Sequence, residues 1–79
     1  MSIVPILTAK EIIRVLLKAG FKVVRQRGSH VHLEHTIDSS RITQVVIHSR
    51  TLPRGTLMGI LRQAGISTDE FLLLLGKKK

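Results

Sequence analysis

Phe21 to His48 reads FKVVRQRGSHVHLEHTIDSSRITQVVIH, and the spacing of its apolar residues decides the fold. From Phe21 to Gln26 the pattern has a period near two, which is a strand rather than a helix. Arg27-Gly28-Ser29 reads as a tight turn, and a second strand runs from about His30 to Ile37. Asp38-Ser39-Ser40 is a hairpin loop, because short polar side chains bond their own backbone in such turns. Ile42 to His48 is the third strand. Centring this hairpin on Ser39 sets Val31 opposite Ile47 and Leu33 opposite Val45, so that apolar meets apolar on one face. The same register sets His30 opposite His48, both on the other face.

Helices flank this core on both sides. Upstream, Thr8-Ala9-Lys10-Glu11 has the form of a capping box, and Ile12, Leu16 and Ala19 follow as an apolar stripe flanked by Ile13 and Leu17. Lys10, Arg14 and Lys18 make a basic row on another face, and Gly20 ends the helix. Downstream, Pro53 suits a first helical turn, Leu57, Ile60, Leu61 and Ala64 form a stripe, and Gly65 closes it. Ser67-Thr68-Asp69-Glu70 is a second capping box, opening a short helix through about Leu75 that stops at Gly76. The order α-β-β-β-α-α predicts an α+β fold in which one three-stranded antiparallel sheet carries the helices on one face, since each helix has a single apolar stripe. Residues 1–79 read as one domain, with residues 1–7 as an N-terminal extension and Lys77-Lys78-Lys79 as a solvated basic tail.

Composition narrows the function. The 79 residues carry 13 Lys+Arg against 5 Asp+Glu, a formal charge of +8. A chain of this length has no room for a cleft between lobes, and such a domain buries only about 60 % of its unfolded surface, so a binding partner adds stability. With no cysteine, disulfides, thiolate chemistry and Cys-based zinc sites are excluded. With no Trp or Tyr and only Phe21 and Phe71, stacking platforms for single-stranded bases are nearly excluded too. The charge points instead to a polyanion read through its phosphates. Neither a signal peptide nor a membrane span is expected: Pro5 interrupts the N-terminus, and the apolar run Phe71 to Leu75 is far too short to cross a bilayer. A soluble, cytoplasmic protein is the expectation.

Histidine is the residue with chemistry to offer. His30, His32, His35 and His48 lie in or at the ends of the strands, with His30 and His32 on one sheet face and His35 on the other. A metal held by His30, His32 and His48 is a minor reading, because a site needs three or four converging ligands with oriented outer partners. No metal and no cofactor are expected. Proton transfer fits better: imidazole titrates near neutrality, and RNA brings its own nucleophile in the ribose 2′-hydroxyl. Arg25, Arg27 and Arg50 flank His30 and His48 as forks for phosphate oxygens. Gly28 permits close approach of the backbone, and Ser29 adds a hydroxyl donor. On the residues alone, a surface histidine beside a common Gly-Ser turn stands level with the catalytic reading.

Gly28-Ser29-His30 carries a resemblance to the HicA family of toxins of HicA–HicB toxin–antitoxin systems. It extends through Thr8-Ala9-Lys10-Glu11, Ala19-Gly20-Phe21, Arg25-Gln26-Arg27, His48, Gly55-Thr56-Leu57 and Ile60-Leu61-Arg62-Gln63-Ala64-Gly65-Ile66. The resemblance implies a fold like a double-stranded-RNA-binding domain, a metal-independent endoribonuclease acting on mRNA, and His30 as the catalytic histidine. It also implies a HicB-type antitoxin partner. Met58 departs from the family, which often has a basic residue there, and the connection Ser49 to Arg54 is more basic than expected. The pairing of His48 with His30 adds His48 as an expected acid. The rival reading is a non-catalytic RNA-binding module of the same fold; a structural or antitoxin-like adaptor, with incidental histidines, is weaker.

Overall fold

The structure, a computed structural model, describes residues 5–47 and 51–76. His48 and Arg50 lie outside the described residues, as do Lys77, Lys78 and Lys79. The element order is the expected one: α1 Ala9–Lys18, β1 Phe21–Arg27, β2 His30–His35, β3 Ile42–Val46, α2 Arg54–Ala64 and α3 Thr68–Gly76. The three strands form one antiparallel sheet in the order β1-β2-β3.

Helix boundaries follow local chemistry. At the start of α1 the Thr8 amide donates to Glu11 Oε1 at 2.9 Å, and the Glu11 amide donates to Thr8 Oγ1 at 3.3 Å, closing the capping box. Helix α2 starts one residue later than expected, with Pro53 as its N-cap rather than in its first turn. It ends where Gly65 turns left-handed at φ 72°, and Arg41, the residue before β3, donates from Nε to Ala64 O at 2.8 Å. A guanidinium on the last carbonyls meets the negative end of the helix. At α3 the Ser67 hydroxyl accepts from the Glu70 amide at 3.0 Å.

One core holds the layers together. Ile12, Val15 and Leu16 of α1, Leu57, Ile60 and Leu61 of α2, and Phe71 of α3 meet Phe21, Val31, Leu33 and Val45 of the sheet. The helices therefore cover the face carrying Val31 and Leu33, and among the described residues no element covers the opposite, open face. Met58 packs against this core from its edge, which accounts for an apolar residue at that place.

The second hairpin corrects the expected register. Val31 pairs with Val45, Leu33 with Thr43 and His30 with Val46, so the hairpin centres on Asp38 rather than Ser39. The expected pairs Val31–Ile47 and Leu33–Val45 are not formed, and the register partner of His30, expected to be His48, is Val46. A shift of two residues keeps every side chain on its face, so burial alone cannot select between these registers. Loop chemistry selects. Asp38 Oδ1 accepts from the Ser40 amide at 3.1 Å and the Ser40 hydroxyl at 2.6 Å, and the Arg41 amide donates to Asp38 O at 3.0 Å. Strand β2 also stops at His35, short of Ile37, because the Thr36 amide and hydroxyl both donate to Gly20 O at 2.9 Å. Thr43 is tolerated on the buried face because its hydroxyl donates to Gln63 Oε1 at 2.9 Å.

The two Ser40 hydrogen bonds, helped by the charges of Arg41 and His35, hold the Asp38 carboxyl below its ordinary range. A carboxyl lowered in the folded state stabilises above the unfolded value and loses that contribution as pH falls through the folded one. The loop is thus expected to loosen below about pH 4, seen as faster amide exchange at Ser40 and Arg41. Protection that does not change through that range would remove Asp38 as the residue that sets the register.

Candidate functional site

The open sheet face is built in cross-strand rows. Arg27, His30 and Val46 form one row; Arg25, His32 and Gln44 the next; Lys22, Glu34 and Ile42 the third. Among the described residues, three cations thus share this face with one carboxylate and two histidines.

A β-bulge makes this arrangement possible. Val23 pairs with Leu33, yet Arg25 pairs with His32, which leaves Val24 as an extra residue in β1. Without the bulge, strict alternation from Phe21 would turn Arg25 and Arg27 toward the helices. With it they join His30 and His32, and Gln26 takes the other phase, its amide donating to Gly28 O at 3.2 Å. The sequence signal for this is the doublet Val23-Val24, after which Arg25-Gln26-Arg27 alternates out of phase.

Two residues, Gly28 and Ser29, link Arg27 to its partner His30. Gly28 has φ 60°, and among the described residues only Gly20 and Gly65 share a positive φ, so Gly stands first in the turn, as type II′ hairpins prefer. Apart from its two chain neighbours, no atom of the described residues lies within 4 Å of where a Gly28 side chain would begin, which leaves the backbone there accessible to a ligand. The Ser29 carbonyl accepts from the Ile47 amide at 2.7 Å, which continues the β2–β3 ladder past His30. Arg25, Arg27, Gly28, Ser29 and His30 are consequently brought together and exposed.

The histidines have separate environments. His30 is exposed, and its Nδ1 lies 2.9 Å from Gln44 Nε2. His32 is half-buried beside a shallow groove of about 680 Å³ that runs between Val24, Glu34, Ile42 and Gln44. His35 is on the helix side, edge-on to Phe21 with ring centroids 5.1 Å apart, and its Nδ1 accepts from the Ile37 and Asp38 amides at 3.2 Å each. It is a loop-organising residue. Among the described residues no three His, Asp or Glu side chains converge as metal ligands, and no helix is long and apolar enough to cross a membrane.

Gln44 is the site residue that sequence reasoning missed. In the expected register it lay further from His30; in the observed one it is the diagonal neighbour, within reach of a long side chain. Lys10, Arg14 and Lys18 are exposed on α1, on the side of the molecule away from this face.

Comparison with known proteins bears on this site. A family model described as HicA toxin of bacterial toxin-antitoxin matches residues 9–66, from the first residue of α1 to the one after the Gly65 cap. No curated protein matches the chain.

Proposed function

Because this chain belongs to the HicA toxins of bacterial toxin–antitoxin systems, and so has an antitoxin as its partner, we propose that it acts by cleaving mRNA, with His30 as general base. The observation that supports this reading is an exposed imidazole on the helix-free, basic sheet face, in one row with Arg27 and one residue beyond the open Gly28-Ser29 turn. In this reaction His30 takes the proton of a ribose 2′-hydroxyl, and the 2′-oxygen forms a bond to the adjacent phosphorus. The bond from phosphorus to the 5′-oxygen breaks, and that oxygen takes a proton from water. Arg25 and Arg27, with the Gly28 and Ser29 donors, stabilise the charge that develops on the phosphate oxygens.

The reaction uses RNA's own nucleophile, protein groups and water, so cleavage is expected to persist in EDTA. The decisive experiment uses the purified protein on an RNA oligonucleotide and on the same oligonucleotide with 2′-deoxyribose at the cleaved position. Cleavage of the first to a 2′,3′-cyclic phosphate, with the second resistant, is the expected result. Binding of both without cleavage would replace this reading with the non-catalytic RNA-binding module.

Binding itself is expected to weaken with salt. Single-strand affinity falls with a log–log slope of about −0.7 per phosphate neutralised, and Arg27→Gln should reduce the slope by about that amount. A slope that Arg27→Gln leaves unchanged, but Arg14→Gln reduces, would move the RNA to the basic row of α1. The same open face, cationic and flanking His30, is the surface we assign to a HicB-type antitoxin of acidic character, acting in the cytoplasm where mRNA is translated.

A further inference from the structure

We infer that Gln44 is the positioning residue for His30, its side-chain amide fixing the ring at Nδ1 so that Nε2 faces the substrate as the proton acceptor; this rests on His30 being the base. Gln44 and His30 sit diagonally across β3 and β2, and the 2.9 Å approach of the Gln44 amide to Nδ1 is the contact that orients an otherwise exposed ring. Among the described residues, the charged and titratable groups facing this ring come from β1, as Arg27 and then Arg25, and from β2, as His32 and then Glu34. Strand β3 contributes only the neutral Val46 and Gln44. Among the described residues no carboxylate therefore stands opposite Nδ1, and the group in contact with it is the Gln44 amide.

An amide can meet Nδ1 with either end, and the two ends have opposite consequences. With its NH2 group donating to Nδ1, the single proton of a neutral ring sits on Nε2. The outward nitrogen is then a donor, which can bond a phosphate oxygen but cannot take a proton. A half-turn of the amide brings Oε1 to the same place without moving the chain. Nδ1 then carries the proton and donates to Oε1, and Nε2 presents a lone pair. This arrangement also survives the reaction, because the imidazolium formed by proton uptake donates at both nitrogens and keeps its bond to Oε1. The orienting hydrogen bond at one ring nitrogen thus decides the role of the other.

Gln44 is exposed on the open face, so its substitution leaves the core untouched. The test compares wild type with Gln44→Leu and Gln44→Glu by two readouts: nitrogen NMR of the His30 ring without RNA, and the pH–rate profile of RNA cleavage. The neutral wild-type ring is expected to carry its proton on Nδ1, and Gln44→Leu to move it toward Nε2. Gln44→Leu should lower kcat by about 10–100-fold with little change in KM, as for other losses of an orienting partner. Gln44→Glu, whose carboxylate can only accept, should recover most of that loss. Its negative charge favours the imidazolium, so the ascending limb of the profile should move up by on the order of one pH unit. A wild-type ring protonated on Nε2 and unaltered by Gln44→Leu overturns the inference, as does a Gln44→Leu enzyme with wild-type kcat and profile. If His30→Ala cleaves like wild type, the catalytic reading fails instead, and the NMR arm decides the Gln44 contact separately.

Discussion

His30→Ala is expected to abolish RNA cleavage and the growth arrest it causes while leaving the protein folded. Removing a general base costs typically about 10²–10⁴-fold. The fold should not notice the change: His30 is exposed, its side chain contributes nothing to the core, and its bond to Gln44 lies on the open face. Substitutions at such places usually stay within about 0.5 kcal/mol. Denaturant unfolding of the purified variant, beside an assay of RNA integrity, separates the two quantities. A well-folded His30→Ala protein that degrades RNA at the wild-type rate would end the assignment. His35→Ala is the contrasting control in the same strand. It loses the acceptor for two loop amides and the edge contact to Phe21, so it should lower stability first and activity only as a consequence.

The contrast between His30 and His35 shows what was legible in the sequence. Alternation along His30-Val31-His32-Leu33-Glu34-His35 assigns the two histidines to opposite faces without any tertiary information, and the structure agrees. The helices were equally legible, because the Thr8–Glu11 capping box, the Ser67 hydroxyl on the Glu70 amide and the left-handed Gly65 are local signals that the packed structure keeps. Register was not. Two registers that differ by two residues bury the same set, and the apparent preference for all-apolar pairs favoured the wrong one. It was defeated by Thr43, a polar residue whose hydroxyl finds Gln63, and by the Asp38–Ser40 bonds that close the loop early. The error reached the site, since the partner expected for His30 gave way to Val46 and Gln44 came into range. The bulge at Val24 was legible in principle, because one extra residue in an alternating strand inverts the phase of everything after it. Its value is that it delivers both arginines to the histidine face.

Phe71→Ala is expected to silence the toxin by the opposite route, through stability with the site intact. Phe71 is fully buried, and it fixes α3 against α1 and the shared core, against which Leu74 and Leu75 also pack. This helix lies beyond the 9–66 stretch that matches the family model, yet its phenyl ring is as deeply buried as Ile12 and Leu16 within that stretch. Truncating a buried phenylalanine costs about 3–5 kcal/mol, whereas a chain of 79 residues has a total stability of about 4–12 kcal/mol. A large fraction of the variant should therefore be unfolded at growth temperature, with abundance and toxicity falling together. Leu73→Ala on the exposed side of the same helix, where the side chain is 69 % accessible, should change stability by no more than about 0.5 kcal/mol. Denaturant midpoints for the pair, with RNA cleavage measured per folded molecule, check the expectation. Folded Phe71→Ala protein should retain the cleavage rate of wild type, because neither Phe71 nor α3 contributes to the open face. An unchanged midpoint for Phe71→Ala would mean that α3 is dispensable to the fold, and a lost rate per folded molecule would mean that α3 shapes the site from behind the sheet.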